Sequence, residues 1–230
     1  FLRNYILGHA QESVITDDLR LSCEDFVEDN YNATESNRIL GEVDWDAWIY
    51  QPGLPPVHLD FTTKQSNESV ALADNYIELE GNESPDNFEV FINDYYSNLK
   101  VIFLERLNIQ YDKVTIDILA KIDSDYNLTL TVDPECKQRW LPLAIRKGYA
   151  DALEPAHTFI SSQGRLKYLK PIYLALMQSD QTDLAIQWFN ENIDFYHPLA
   201  VASLKKMLGL EKNKTSYFTQ VVDEVSEFIQ

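Results

Sequence analysis

The 230-residue chain is poor in basic residues, cysteine, glycine and proline, and it has no long apolar run. Nineteen Lys and Arg stand against 37 Asp and Glu, a formal charge of −18. That balance excludes a nucleic-acid surface, because phosphate binding needs clustered cations over a broad face. The two cysteines, Cys23 and Cys136, lie far apart with no metal-ligand spacing. Both read as free buried thiols, and nothing demands an oxidising compartment. No apolar stretch approaches the roughly 18 residues of a membrane span, and no signal-peptide pattern is visible, so no membrane partner and a cytoplasmic location are expected. Catalytic signatures are missing as well. The histidines are His9, His58, His157 and His197, and none forms the HExxH pair that places two imidazoles on one helix face around zinc. There is no G-x-S-x-G, no glycine-rich phosphate loop and no cysteine with a histidine partner. His157 and His197 read as satisfied helix-end histidines, and Asp17–Asp18 is explained by a helix start. No catalytic residue and no metal ligand can be assigned, and this chain is expected to bind no cofactor itself.

What is present points to helix. With 45% apolar and 12% aromatic residues the chain can bury a core. Residues 1–7 have helical spacing, and Thr16 is placed to cap a second helix whose apolar face holds Leu19, Cys23, Phe26 and Val27. Residues 30–37 read as a turn, and Asp44 as the cap of a short helix. The stretch Gln51 to Val57, QPGLPPV, is the clearest break, since three prolines and a glycine favour an extended connector. Beyond it, helices are expected at 67–79, 88–96, 97–107, 111–122, 133–147, 149–162, 171–178, 183–192, 198–208 and 216–228, with an extended link at 128–132. Asp133 followed by Pro134 is a helix start of the cap-then-proline kind. The expected fold class is all-α: antiparallel helix pairs stacked in two layers, a solenoid of HEAT or armadillo type without a clean sequence period. The expected division is residues 1–50 as the last helices of a larger domain, 51–65 as connector, and 66–230 as an α-helical domain. About fifty residues of helix are too few to hold a core alone.

One window departs from the acidic background. No Asp or Glu occurs between Glu154 and Asp180, and within that span lies QGRLKYLKP, carrying Arg165, Lys167 and Lys170. Gly164 suits a left-handed helix end and Pro171 a helix start, which would put the three cations on a turn between two helices. Arg supplies a planar two-pronged donor and Lys a mobile point charge, so the pair can receive a carboxylate. The blander reading is that such cations cap helix carbonyls or reach into water.

Five stretches, in order, resemble the C-terminal region of leukotriene A(4) hydrolase and related aminopeptidase N-type zinc peptidases. They are ITDDL (15–19), VDWDAWIYQPGLPP (43–56), RWLPLAI (139–145), QGRLKYLKP (163–171) and YHPLA (196–200). The resemblance implies that residues 1–50 finish a thermolysin-like catalytic domain and that a two-layered helical domain follows. It further implies a parent zinc aminopeptidase, with Arg165 and Lys167 reaching the active-site cleft to bind the free carboxylate of a peptide substrate. The zinc ligands and catalytic groups of such enzymes have no counterpart among these residues. The chain's partners would then be its own catalytic domain and the peptide. The alternative is a non-catalytic helical scaffold that binds a protein partner.

Overall fold

The computed structural model describes residues 1–210, so the helix expected at 216–228 lies outside the described residues. Those residues are helical without a strand, in agreement with the all-α expectation. They fall into two compact units, Phe1–Phe61 and Thr62 onward.

The first unit holds α1 (Leu2–Gly8), α2 (Thr16–Asn30), α3 (Ala33–Gly41) and α4 (Trp45–Ile49). Thr16 is the first residue of α2 and not its cap; the Ile15 N–H donates to the Asp18 carboxylate at 2.8 Å. The turn expected at 30–37 is largely helix. Asn32 accepts the Glu35 N–H at 3.1 Å, and the chain coils from Ala33. A side chain that favours turns serves equally as an N-cap, which is why the two are confused in a sequence. Asp44 caps α4 through the Ala47 N–H, as its position indicated. Only Val27 and Ser36 are buried in this unit.

The second unit contains α5 (Lys64–Glu78), α6 (Val90–Asn93), α7 (Ser97–Ile109), α8 (Ile116–Tyr126), α9 (Pro134–Arg146), α10 (Leu153–Ser162), α11 (Leu166–Gln178), α12 (Thr182–Asn192) and α13 (Pro198–Met207). Short 3-10 turns occupy Tyr111–Lys113, Leu128–Leu130 and Ala150–Ala152. Helix α5 begins three residues earlier than the apolar pattern suggests, because Thr63 and Ser66 exchange side-chain and backbone hydrogen bonds in a capping box. Asp133 accepts the Glu135 N–H at 2.8 Å and starts α9 with Pro134 in its first turn. Helix α7 packs on α5 and α9, α9 on α10 and α11, and α11 on α12 and α13.

One continuous core runs from Leu72 to Leu208. At one end Phe91 stacks on Tyr126 at 4.1 Å, with Phe103 and Tyr76 edge-on around them. The Tyr76 hydroxyl donates to Asp125 at 2.7 Å, so the ring is buried without orphaning its polar end. At the other end Tyr173 and Tyr196 share a hydroxyl–hydroxyl contact, and Tyr196 donates to the Ile160 carbonyl at 3.0 Å. Cys136 is buried and free, whereas Cys23 is only half-buried.

Candidate functional site

The cationic segment differs in detail from the turn its residues suggested. Helix α10 stops at Ser162 because Gln163 turns extended, with φ −158°. Gly164 does not take a left-handed conformation; it is absent from the positive-φ glycines. Packing does not demand glycine there either, since an added Cβ would lie 3.8 Å from the Tyr196 ring, an ordinary van der Waals contact. Nor does Pro171 open α11. The helix starts at Leu166 and Pro171 lies inside it. Leu169, Ile172, Tyr173 and Leu176 are buried on one face, and that packing carries the helix through a proline that withholds a hydrogen bond from the Lys167 carbonyl. Pro142 sits inside α9 in the same way.

Arg165 is therefore the N-cap of α11, Lys167 lies in its first turn, and Lys170 lies further along the helix. No side chain caps this helix end, and no acid stands in its first turn. The Arg165 N–H is held at 2.7 Å by Gln163 Oε1. The guanidinium lies 5.5 Å from the Tyr168 ring centroid, is exposed, and has no carboxylate partner among the described residues. Cations at a helix N-terminus oppose the macrodipole, so an anion is the missing complement.

Lys167 has already found one. Its ammonium group donates to both oxygens of Glu135 on α9, at 2.5 and 2.7 Å. Glu135 also accepts from the Tyr168 hydroxyl at 2.9 Å and from Arg139 at 3.1 Å, and Arg139 in turn binds Glu105 at 2.8 Å. The window that contains no acid in sequence is thus supplied with one across 32 residues. Glu135, Arg139 and Tyr168 carried no functional signal in the sequence. The spacing of Glu135 and Arg139, four residues apart on a helix, could have disclosed their mutual pairing but not the bond to Lys167.

Lys167 above all, then Tyr168 and Arg139, hold the Glu135 carboxyl down from its ordinary 4.5 to about 2, against an upward push from partial burial. A depressed carboxylate stabilises the fold fully above its unfolded value and loses that contribution as pH falls through the folded one. Glu135→Gln should therefore flatten the fall of stability between about pH 4.5 and 2, relative to the unsubstituted chain. Urea denaturation across that window checks it; parallel curves would show that the network does not couple to folding.

A groove of about 540 Å³ runs beside this network, lined by Asn108, Ile109, Arg139, Pro142, Arg146 and Leu174, among others. Arg165 and Lys167 do not line it. The Arg146 guanidinium crosses it, donating to Asn108 at 3.0 Å and lying 4.6 Å from the Tyr111 ring centroid. Of the helix-end histidines, His197 does cap α13, accepting the Leu199 N–H on Nδ1 at 3.2 Å. His157 instead lies within α10, bonded to Glu191 at 2.9 Å and stacked on Trp188. No group of three or more His, Cys, Asp or Glu able to hold a metal occurs among the described residues. The described residues thus offer no set of ligands for zinc, which the resemblance implies only for the rest of the parent enzyme. No helix among the described residues is long and apolar enough to cross a membrane.

Fold and site together define an all-α domain in which, among the described residues, an exposed guanidinium without a carboxylate partner stands at an uncapped helix start, assembled from three of the sequence stretches singled out above. RWLPLAI contributes Arg139, QGRLKYLKP the cations, and YHPLA the Tyr196 ring against Gly164. Residues 95–208 match the family model described as "Leukotriene A4 hydrolase, C-terminal". Over 214 residues, 93% of this chain, it is 28% identical to "Leucine aminopeptidase 2" of Neosartorya fischeri, of which that covers 34%. Over 209 residues, 90% of the chain, it is 29% identical to the protein of the same name from Ajellomyces capsulatus, covering 32% of it. The Phaeosphaeria nodorum protein of that name is 29% identical over 216 residues, 92% of the chain and 34% of that relative. The chain spans about a third of the length of these curated relatives. These similarities are those of the C-terminal region of a leukotriene A4 hydrolase-type aminopeptidase.

Proposed function

We propose that this chain is the C-terminal portion of a zinc aminopeptidase acting in the cytoplasm, and that it walls the active-site cleft and anchors short peptides by their free carboxylate. In this reading residues 1–50 complete a catalytic domain, 51–65 connect, and the helical domain from 66 on presents the anchor. The zinc and the groups that use it would be contributed by the rest of that enzyme. The exposure of Leu2, Ile6, Leu7, Ile15, Trp48 and Tyr50, with only Val27 and Ser36 buried, supports a larger domain around the first unit.

The observation that carries the anchoring role is Arg165: exposed, without a carboxylate partner among the described residues, and placed at a helix start that lacks an anionic cap. A substrate carboxylate would accept two parallel N–H bonds from the guanidinium while complementing the helix dipole. Charge-assisted hydrogen bonds contribute about 1.5–3 kcal/mol, so Arg165→Ala in the intact enzyme should lower kcat/KM for tripeptides about tenfold or more. Aminoacyl amides, which have no carboxylate to offer, should lose less than about twofold, since none of the lost bonds is theirs. Equal losses on both substrate types would remove the anchoring role. The helical-scaffold reading draws on the groove beside α9, with Ile109 and Leu174 exposed at its edge. It would be favoured by an intact protein that is inert towards every aminoacyl substrate.

A further inference from the structure

The network around Lys167 contains a charge that the anchoring reading does not use. Glu135 engages the lysine with both oxygens and is fixed in place by the Tyr168 hydroxyl and Arg139. Tyr168 ties the two halves of the site together. Its ring lies 5.5 Å from the Arg165 guanidinium and 5.5 Å from the Lys167 ammonium, while its hydroxyl holds Glu135. The carboxylate of Glu135 thus already occupies one of the two cations to which the resemblance gives a ligand role. Its partners leave it fully ionised at neutral pH and firmly placed.

We infer that Glu135 is an internal competitor that sets the strength and selectivity of the anchor, a role resting on the anchoring reading above. An incoming carboxylate meets Arg165 free but Lys167 engaged. It must either bind through Arg165 alone or displace a carboxylate that has three protein donors. The negative charge of Glu135 also opposes a second carboxylate nearby. Its consequence is a site of limited affinity for carboxylate-ended ligands, suited to release a product that keeps the same terminus. Glu135 touches neither the ligand nor the reacting atoms in this account; it is a positioning residue acting through Lys167.

Glu135→Gln retains the shape and one of the two bonds donated by Tyr168 and Arg139, since its carboxamide keeps a single acceptor oxygen, and it removes the charge, so Lys167 becomes available to the ligand. In the intact enzyme the KM for tripeptides should fall about five- to tenfold, from one added charge-assisted hydrogen bond. Both kcat and the kinetics on aminoacyl amides should stay within about twofold, because neither involves the freed ammonium. Calorimetry on the intact enzyme with a tripeptide whose first peptide bond is reduced, and with its C-terminal amide, gives the same comparison without turnover. The double variant Glu135→Gln/Lys167→Met should lose the gain. If Glu135→Gln does not fold, Glu135→Met removes the charge with the stem kept and is read in the same way. Unchanged or weaker tripeptide binding in a folded variant overturns the inference, as does an equal gain for the amide. The anchoring reading fails separately, when Arg165→Ala leaves the preference for carboxylate over amide intact.

Discussion

Trp140→Ala should destabilise the second unit by about 3–5 kcal/mol, the range for truncating a fully buried indole. Trp140 is completely inaccessible on the inner face of α9, edge-on to Tyr149, and its Nε1–H donates to Thr129 Oγ1 at 3.0 Å. Truncation opens a cavity and also leaves the Thr129 hydroxyl, itself buried, without that donor. Trp140→Phe separates the two effects. It keeps an aromatic ring in the core and loses the N–H with a smaller void, so about 1–3 kcal/mol is expected. Denaturant unfolding followed by far-ultraviolet circular dichroism measures both, and a loss below about 1 kcal/mol for the alanine variant would mean that α9 is not held from this side.

That result would reach the site, because α9 has two faces with different duties. Trp140, Leu141, Ala144 and Ile145 are buried, while Glu135 meets the start of α11 through Lys167 and Tyr168. If the indole sets the rotation of α9, its replacement should disturb the bond between Glu135 and Lys167. A tripeptide KM that changes in Trp140→Phe without a change in the amide kinetics would expose this coupling.

How much of this arrangement could be read from residues alone depends on the range of the interaction concerned. Local chemistry was legible: Asp44 and the Asp133–Pro134 pair start helices where their short side chains and fixed φ dictate. Identity of the cations was legible too, since an unneutralised Arg and Lys stand out against so acidic a chain. Their setting was not. Pro171 resembles a helix opener, yet the buried stripe Leu169, Ile172, Tyr173 and Leu176 overrides that preference and places it inside α11. Gly164 resembles a left-handed helix terminator but is not one, and it lies beside Tyr196, a neighbour far along the chain. The pairing of Lys167 with Glu135 spans a similar separation and leaves no trace in local charge pattern. Contacts between distant helices decide the setting of Pro171 and of Lys167, and such contacts have no signature in a short window of sequence.

Gly81→Ala is the second large effect expected, and it comes from a loop whose acidic composition says nothing about it. Gly81 has φ +82°, following Glu80 at φ +54°, just beyond α5. A Cβ added there would lie 2.5 Å from the Asp117 carbonyl carbon, 2.7 Å from its oxygen and 2.7 Å from the Ile118 nitrogen. These are backbone atoms in the first turn of α8, which Thr115 caps and whose Ile118, Leu119 and Ile122 are buried, so they cannot swing aside as a flexible side chain would. The left-handed backbone costs an alanine about 1 kcal/mol, and forced overpacking adds about 1–3 kcal/mol, giving a loss of about 2–4 kcal/mol. Gly148 supplies the control. It has φ +78° with nothing within 4 Å of where an alanine methyl would stand, so Gly148→Ala should carry the conformational cost alone, about 1 kcal/mol. Equal losses for the two substitutions would show that the approach of the loop to α8 is not close in solution. A clearly larger loss at Gly81 would establish that this loop is clamped on the helix that positions Asp123 for Tyr149 and Asp125 for Tyr76, and so is part of the frame behind the site.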